Sequence, residues 1–267
     1  MPVDVLQGYS PLIISLPYTG TNMRPEISAR MTAPEDMITI PDRYFDRLWT
    51  HVHDTATVMR ANFHRYLSDL DAPAGTGDIK PNKGMLGCVP LINQRGELIW
   101  NVPPKPAEVH SWRSFYHAPY HAALAAQVAR VRARNGHAVL LTCSALRDDA
   151  PDQTDIQMSS YMGSSCAVEL STSLASIFRN SAEYETTLSG RSGAGWTTRS
   201  YGRPAAAIHA IDLRIRESLY LTPDGEFAAH YDQSKAEKLR RLLKDVLSFA
   251  ATWQPERAAW ARTRAVS

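Results

Sequence analysis

The sequence predicts an α/β layer fold on a mostly parallel sheet, and three stretches carry that reading. The run SPLIISLPY, residues 10 to 18, is continuously apolar with β-branched content and stops at Pro17. That is the pattern of a strand buried on both faces that opens onto a loop. HAVLLTCSA, residues 137 to 145, repeats it. Before this second strand, Tyr116, Tyr120, Leu124, Val128 and Val131 recur at three-to-four spacing, which predicts a helix over residues 111 to 135. Ser111 is its expected N-cap and Asn135-Gly136 its stop. A helix that feeds directly into a buried strand implies helices layered on a sheet.

Residues 71 to 109, with Gly75, Gly77, Pro103 and Pro104 among their breakers, read as an extended excursion over the surface. Long ordered loops tend to be functional, and Trp100 and Trp112 on this one are candidate exposed anchors for a protein partner. Near the end of the chain, SKAEKLRRLLKDVLSFAATW places Leu239, Leu242, Leu243, Val246 and Leu247 on one helical face, suited to packing on the sheet.

The bulk numbers narrow the function classes. A chain of 267 residues is expected to form one domain over residues 1 to 267. With 44% hydrophobic and 21% charged residues and a formal net charge of +2, it lacks the charge excess that draws nucleic acid or an anionic membrane. Asp4 precedes only a short apolar run with no basic segment, so the start reads neither as a signal peptide nor as a membrane span, and a cytoplasmic location is expected. Cys88, Cys143 and Cys166 are too scattered for a disulfide framework or a CxxC zinc site.

A series of segments then points to one family. PLIISLPYTG, from Pro11, is similar to an apolar run ending in Pro-His-[Ser/Thr]-Gly; RYLSDLDAP, from Arg65, to Arg-Tyr-x-x-Asp-Leu-Asn-Arg-Pro. GHAVLLTCSALR, from Gly136, is similar to Gly-His-x-x-Leu-Leu-Asp-x-His-Ser-x-Arg. KGMLGCVPLINQRGELIW, FYHAPYHAAL and the pair SGRSGAGWTTRSYGRP and IHAIDLRIRESLY follow in the same order as their counterparts, over roughly residues 10 to 222. Together they resemble the N-formylglutamate amidohydrolase family. The resemblance implies a three-layer α/β/α sandwich of the phosphorylase/hydrolase-like, zinc-carboxypeptidase-like kind, and a zinc-dependent hydrolysis of a linear amide.

The departures fall on the chemistry. Tyr18 and Ser144 stand where the resemblance implies metal-binding histidines, Arg214 where it implies the catalytic Glu, Thr142 for an Asp, Asp212 for a Gln, and Asp71-Ala72 for Asn-Arg. Zinc hydrolysis needs about three nitrogen or carboxylate ligands, an open position for water and a base; this set supplies no credible zinc site, so no metal and no other cofactor is expected. In an open α/β sheet ligands sit beyond the carboxyl ends of the strands, which puts Tyr18, Thr142 and Ser144 in one crevice. The alternation in IHAIDLRI sets Asp212 and Arg214 on one strand face, as an ion pair, as a grip on a ligand, or as both. They are the candidates for any catalytic role.

The remaining ligand-binding candidates are Thr21, Arg65 and Asp69, with Arg191, Gly195 and Arg199 from the glycine-bearing loop, whose backbone N–H groups and guanidinium forks suit a dicarboxylate. Cys143 and His209 alternate to the opposite faces of their strands and read as packing residues, and His51, His53 and His64 as solvated or packing residues. Three functions stay open: a repurposed or inactive family member that binds a small carboxylate or acyl-amino-acid ligand, an amidohydrolase active through other residues, and a scaffold.

Overall fold

The structure, a computed structural model, describes residues 2–32, 42–50, 55–75, 81–82, 84–148, 154–189, 194–224 and 229–255. In chain order the strands are β1 (Val3–Leu6), β2 (Leu12–Leu16), β3 (Thr57–Ala61), β4 (Pro81–Asn82), β5 (Met85–Leu86), β6 (Val89–Pro90), β7 (Ala138–Leu146), β8 (Ile156–Ser159), β9 (Thr186–Ser189), β10 (Ile208–Arg216), β11 (Leu221–Pro223) and β12 (Ala229–Tyr231). The α-helices are α1 (Pro25–Ser28), α2 (Pro106–Trp112), α3 (Ala118–Asn135), α4 (Val168–Asn180), α5 (Trp196–Tyr201) and α6 (Gln233–Thr252).

The main sheet runs β1-β3-β2-β7-β10-β8-β9. Pairs β3–β2, β2–β7, β7–β10 and β8–β9 are parallel, and β1–β3 and β10–β8 are antiparallel. All five residues of β2 and the first seven of β7 are buried, as expected of strands covered on both faces, whereas the edge strand β1 alternates between half-buried and exposed.

Two cores give the three layers. On one face Leu12, Ile14, Val139, Leu141, Cys143 and Ile211 pack against α4 and α6 through Leu170, Leu174, Phe178, Leu239, Leu243 and Val246. On the other, Ile13, Met59, Leu140 and Ala210 meet Val109, Tyr120, Leu124, Val128 and Val131 of α2 and α3. Each of the larger aliphatic side chains and Phe178 contributes roughly 1.5–3 kcal/mol when fully withdrawn from water. The fold is therefore the three-layer sandwich with a mostly parallel sheet that the sequence predicts, and α6 buries the apolar stripe read from its leucines. Cys143 and His209 face α4 and α6, away from the crevice; His209 accepts a hydrogen bond from the Ala167 N–H and lies 4.8 Å from the Trp253 ring.

Several expectations are corrected. Ser111 is no N-cap: the helix starts at Pro106, where the Glu108 side chain accepts from the Lys105 N–H, and Ser111 lies inside it, donating to the Ala107 carbonyl. A wide π-turn at Arg113–His117 splices α2 to α3. At the other end Gly136, with φ of 81°, closes the helix as expected. Trp100 and Trp112 are buried, not exposed; their rings pack 5.9 Å apart and Trp100 Nε1 donates to the Pro90 carbonyl. The excursion over residues 71 to 109 carries a small sheet, β4-β5-β6, and ends in α2. His51 and His53 lie outside the described residues; His64 is buried and accepts from the Tyr66 N–H. Among the described residues no helix is long and apolar enough to cross a membrane.

Candidate functional site

The register of three adjacent parallel strands assembles the floor of the site. Ser15 of β2 is opposite Thr142 of β7, and Thr142 is opposite Asp212 of β10; one pleat repeat further on, Ser144 is opposite Arg214. Partners in register share a face, so the alternation that buries Leu141 and Leu213 toward α6 turns Thr142, Ser144, Asp212 and Arg214 the other way. The deepest of these groups, Ser15, is closed off by a 2.7 Å hydrogen bond between its hydroxyl and Tyr120 Oη.

Beyond the strand ends lies a cavity of about 650 Å³ lined by Tyr18, Arg65, Asp69, Thr142, Ser144, Asp212 and Arg214. Seven residues singled out in the sequence are thus brought together. Asp71, Gln94, Arg95 and Arg147 also line it. Each falls inside a segment that signals the family, yet nothing local in those segments says that the loops fold back over the strands.

One corner is locked. Asp69 accepts from Tyr18 Oη at 2.7 Å, from Arg65 Nη2 at 2.7 Å and from the Asp71 N–H at 2.9 Å. The Arg65 guanidinium also lies 3.9 Å from the centre of the Tyr18 ring. Burial acts against charge on Asp69, but Arg65 and the donated hydrogen bonds hold its carboxyl below the usual range. Burial opposes the charge of Arg65 too, and Asp69 more than offsets it, so the pair stays ionised. Burial, then the Asp69 charge, pushes the Tyr18 phenol far up, keeping it a neutral donor.

The corner formed by Asp71 and Asp212 is different. Asp71 Oδ1 accepts from the Thr197 N–H at 2.7 Å; Asp212 Oδ2 accepts from the Gly195 N–H at 2.9 Å and from Arg214 Nη2 at 3.2 Å. The two carboxyls converge on Gly195, where a Cβ would lie 1.7 Å from Asp71 Oδ2, so only glycine lets them come together. Burial, and then the Asp212 charge, raise the Asp71 carboxyl to about 7. The Asp212 charge in turn raises Arg214. Thr142 Oγ1 is buried without a hydrogen-bond partner among the described residues.

The glycine-bearing loop does not act as its sequence suggests. The Gly195 N–H is spent on the protein's own Asp212 and is not held out to a ligand. Arg199 is exposed, donates to the Gly195 carbonyl and lies 5.9 Å from the Tyr161 ring, outside the cavity lining. Thr21 is exposed and also outside it. Arg191 lies outside the described residues. The loop that carries Asp69 and Asp71 is held instead by two histidines, one ending the π-turn and one in α3: His117 Nε2 is 3.0 Å from the Ala72 carbonyl and His121 Nε2 2.9 Å from that of Leu70. Burial, joined at His121 by the neighbouring His117, lowers the pKa of both rings, that of His121 to about 4.

A layered α/β/α protein with a polar cavity at the carboxyl ends of its central parallel strands is the class that fold and site define. Comparison with known proteins gives the family: the model of the N-formylglutamate amidohydrolase family matches residues 10–221, and the chain belongs to that family. It is 28% identical over 263 residues to an N-formylglutamate deformylase of Pseudomonas aeruginosa, covering 95% of this chain and 97% of that protein. With one of Pseudomonas putida it shares 27% identity over 261 residues, covering 94% and 96%. The crystal structure of an N-formylglutamate amidohydrolase from Ralstonia eutropha superposes with a TM-score of 0.78 at 22% identity, covering 93% of this chain and 97% of that one. A gene product from Agrobacterium tumefaciens superposes at 0.67 with 14% identity, covering 92% and 94%. These two structures share the fold.

Proposed function

We propose that this chain binds a small dicarboxylic or acylated amino acid in the cavity beyond β2, β7 and β10, and that it does not hydrolyse N-formylglutamate through zinc-bound water. The observation that carries the reading is Arg214: a guanidinium, 3.2 Å from Asp212, occupies the place where the family resemblance implies a carboxylate base. A permanent cation neither takes a proton from water nor ligates zinc. The other donors fit zinc no better. Tyr18, at an implied histidine position, is a protonated phenol committed to Asp69, and Ser144 at the second offers a neutral hydroxyl. Among the described residues no group of three His, Cys, Asp or Glu is placed to hold a metal. The ligand class rests on the arginines of the lining, whose planar forks suit carboxylates, and on the curated relatives, whose names specify an acylated dicarboxylate.

The test joins metal analysis, an activity assay and thermal shift. Protein purified with zinc present is expected to carry far less than one equivalent, to leave N-formyl-L-glutamate intact, and to melt higher with millimolar glutarate, L-glutamate or N-acetyl-L-glutamate. Stoichiometric zinc with turnover overturns the first half, and no shift with any of the three ligands overturns the second. One observation favours a residual activity without metal: an Asp71 carboxyl titrating near 7 is suited to proton transfer. Turnover that survives a chelator and is lost in Asp71→Asn establishes that second reading.

A further inference from the structure

The polar groups of the cavity that the fold leaves unsatisfied lie together. The backbone and guanidinium hydrogen bonds to the carboxyl pair fall on Asp71 Oδ1 and Asp212 Oδ2, and beyond a contribution of the Thr197 side chain to Asp71 the other oxygen of each accepts nothing among the described residues. Thr142, in register with Asp212 and lining the same cavity, is 3% exposed, and its Oγ1 has no partner among the described residues. A buried hydroxyl without a partner costs about 1–3 kcal/mol relative to one that is bonded. Two carboxylate oxygens and a hydroxyl oxygen share one chemical property: all three accept.

From Thr142 Oγ1 and the unshared oxygens of Asp71 and Asp212 we infer a subsite for a primary ammonium group, so that the ligand of the cavity is a free, zwitterionic amino acid and not its N-acylated or deaminated counterpart. An ammonium carries three donors and a positive charge, which matches three acceptors of which two are carboxylate oxygens. A neutral N-acyl nitrogen offers one N–H and sets a carbonyl oxygen against the carboxylates. A ligand with no nitrogen leaves the acceptors bare. Arg214 Nη2, 3.2 Å from Asp212 Oδ2, sets a cation for a ligand carboxylate beside the acceptors for its ammonium. Glycine at 195 is the structural condition, since a side chain there would drive Asp71 off Asp212.

The inference rests on the carboxylate-pocket reading, and the experiment separates the two. Calorimetry at pH 8 compares L-glutamate, glutarate and N-acetyl-L-glutamate on the wild-type protein and on Asp71→Asn, which keeps the volume and the acceptor for the Thr197 N–H. Wild type is expected to bind L-glutamate at least about 10-fold tighter than either analogue. Asp71→Asn is expected to lose that preference and still bind glutarate, which shows that the variant is folded. Glutarate or N-acetyl-L-glutamate binding as tightly as L-glutamate overturns the ammonium subsite and leaves the carboxylate pocket standing. Retention of the preference by Asp71→Asn overturns it as well. Binding by none of the three overturns both. Calcium or magnesium chloride alone is expected to leave the melting temperature unchanged; a rise in wild type that vanishes in Asp71→Asn makes the pair a metal site and overturns the inference.

Discussion

Asp69 and Asp71 are two residues apart and line the same cavity, yet their carboxyls are driven in opposite directions. Asp69 has Arg65, the Tyr18 hydroxyl and a backbone N–H gathered on it, and is held below the ordinary range. Asp71 has only the N–H and side chain of Thr197 and faces a second carboxylate, and is raised to about 7. Burial alone does not separate them. What separates them is whether the protein supplies the partner: in the Tyr18–Arg65–Asp69 corner it does, and that corner reads as structure. In the Thr142–Asp71–Asp212 corner acceptors are left over, and an acceptor without a donor is where something from outside the chain belongs.

The largest expected effect comes from breaking the closed corner. Arg65→Ala leaves the Asp69 charge buried without its counterion and is expected to cost about 3–5 kcal/mol, read as the shift in urea unfolding midpoint at constant slope. A loss below about 1 kcal/mol means that the corner is not a locked ion pair.

Asp42 sharpens the contrast as a third buried carboxyl. It is 5% exposed, its Oδ2 has no hydrogen-bond partner among the described residues, and burial raises its pKa to about 7 despite a hydrogen bond from the Ala145 backbone and the nearby Arg65 and Arg214 charges. A group whose folded pKa lies above its unfolded value of 3.8 gives stability that is full below about pH 4 and is lost as pH rises toward 7. Asp42→Asn removes that loss. The variant is expected to match wild type at pH 4 and to exceed it by about 4 kcal/mol at pH 8, and its φ of 49° is one that asparagine tolerates. Parallel melting curves for the two proteins between pH 4 and 8 refute this account of Asp42.

Tyr18→Phe removes one of the bonds to Asp69 and keeps the ring under Arg65, so a loss of about 1–2 kcal/mol is expected in thermal melts. A loss as large as that of Arg65→Ala makes the phenol, not the ion pair, the keystone. The smallest effect belongs to the open corner. Thr142→Val trades an unpartnered hydroxyl for a methyl of similar shape and is expected to be neutral or stabilising by up to about 1 kcal/mol while weakening L-glutamate binding. A clear destabilisation shows that the hydroxyl is already satisfied from within.

The part of this arrangement legible in the sequence is the part written in strands. Apolar runs around Ile13 and Leu140 and strict alternation in IHAIDLRI placed Thr142, Ser144, Asp212 and Arg214 on one floor, because a strand dictates which way each side chain points. Loops carry no such rule. The Gly195 N–H was expected to serve a ligand and serves Asp212; Arg199 was expected in the pocket and lies near Tyr161. Asp71 was visible only as a substitution, since its weight depends on a glycine far along the chain that presses against it. The Ser111 cap failed for a related reason: the π-turn at Arg113–His117 joins two helical patterns, and a break in phase looks like a boundary when only spacing is read.

The polar row Ser15–Thr142–Asp212 also bears on how the chain finds its fold. Strands β7 and β10 pair over nine residues, from Ile208 opposite Ala138 to Arg216 opposite Leu146, and their apolar residues alone would offer little to choose between neighbouring alignments. A slip of one residue in either would swing Thr142 and Ser144, or Asp212 and Arg214, into the layer beneath α4 and α6, where Leu170, Leu243 and Val246 hold no partner for them. The row therefore acts as a key in a lock of the protein's own making, rejecting misaligned sheets as they form, and selection for correct folding would preserve these polar positions whether or not any substrate ever reached them.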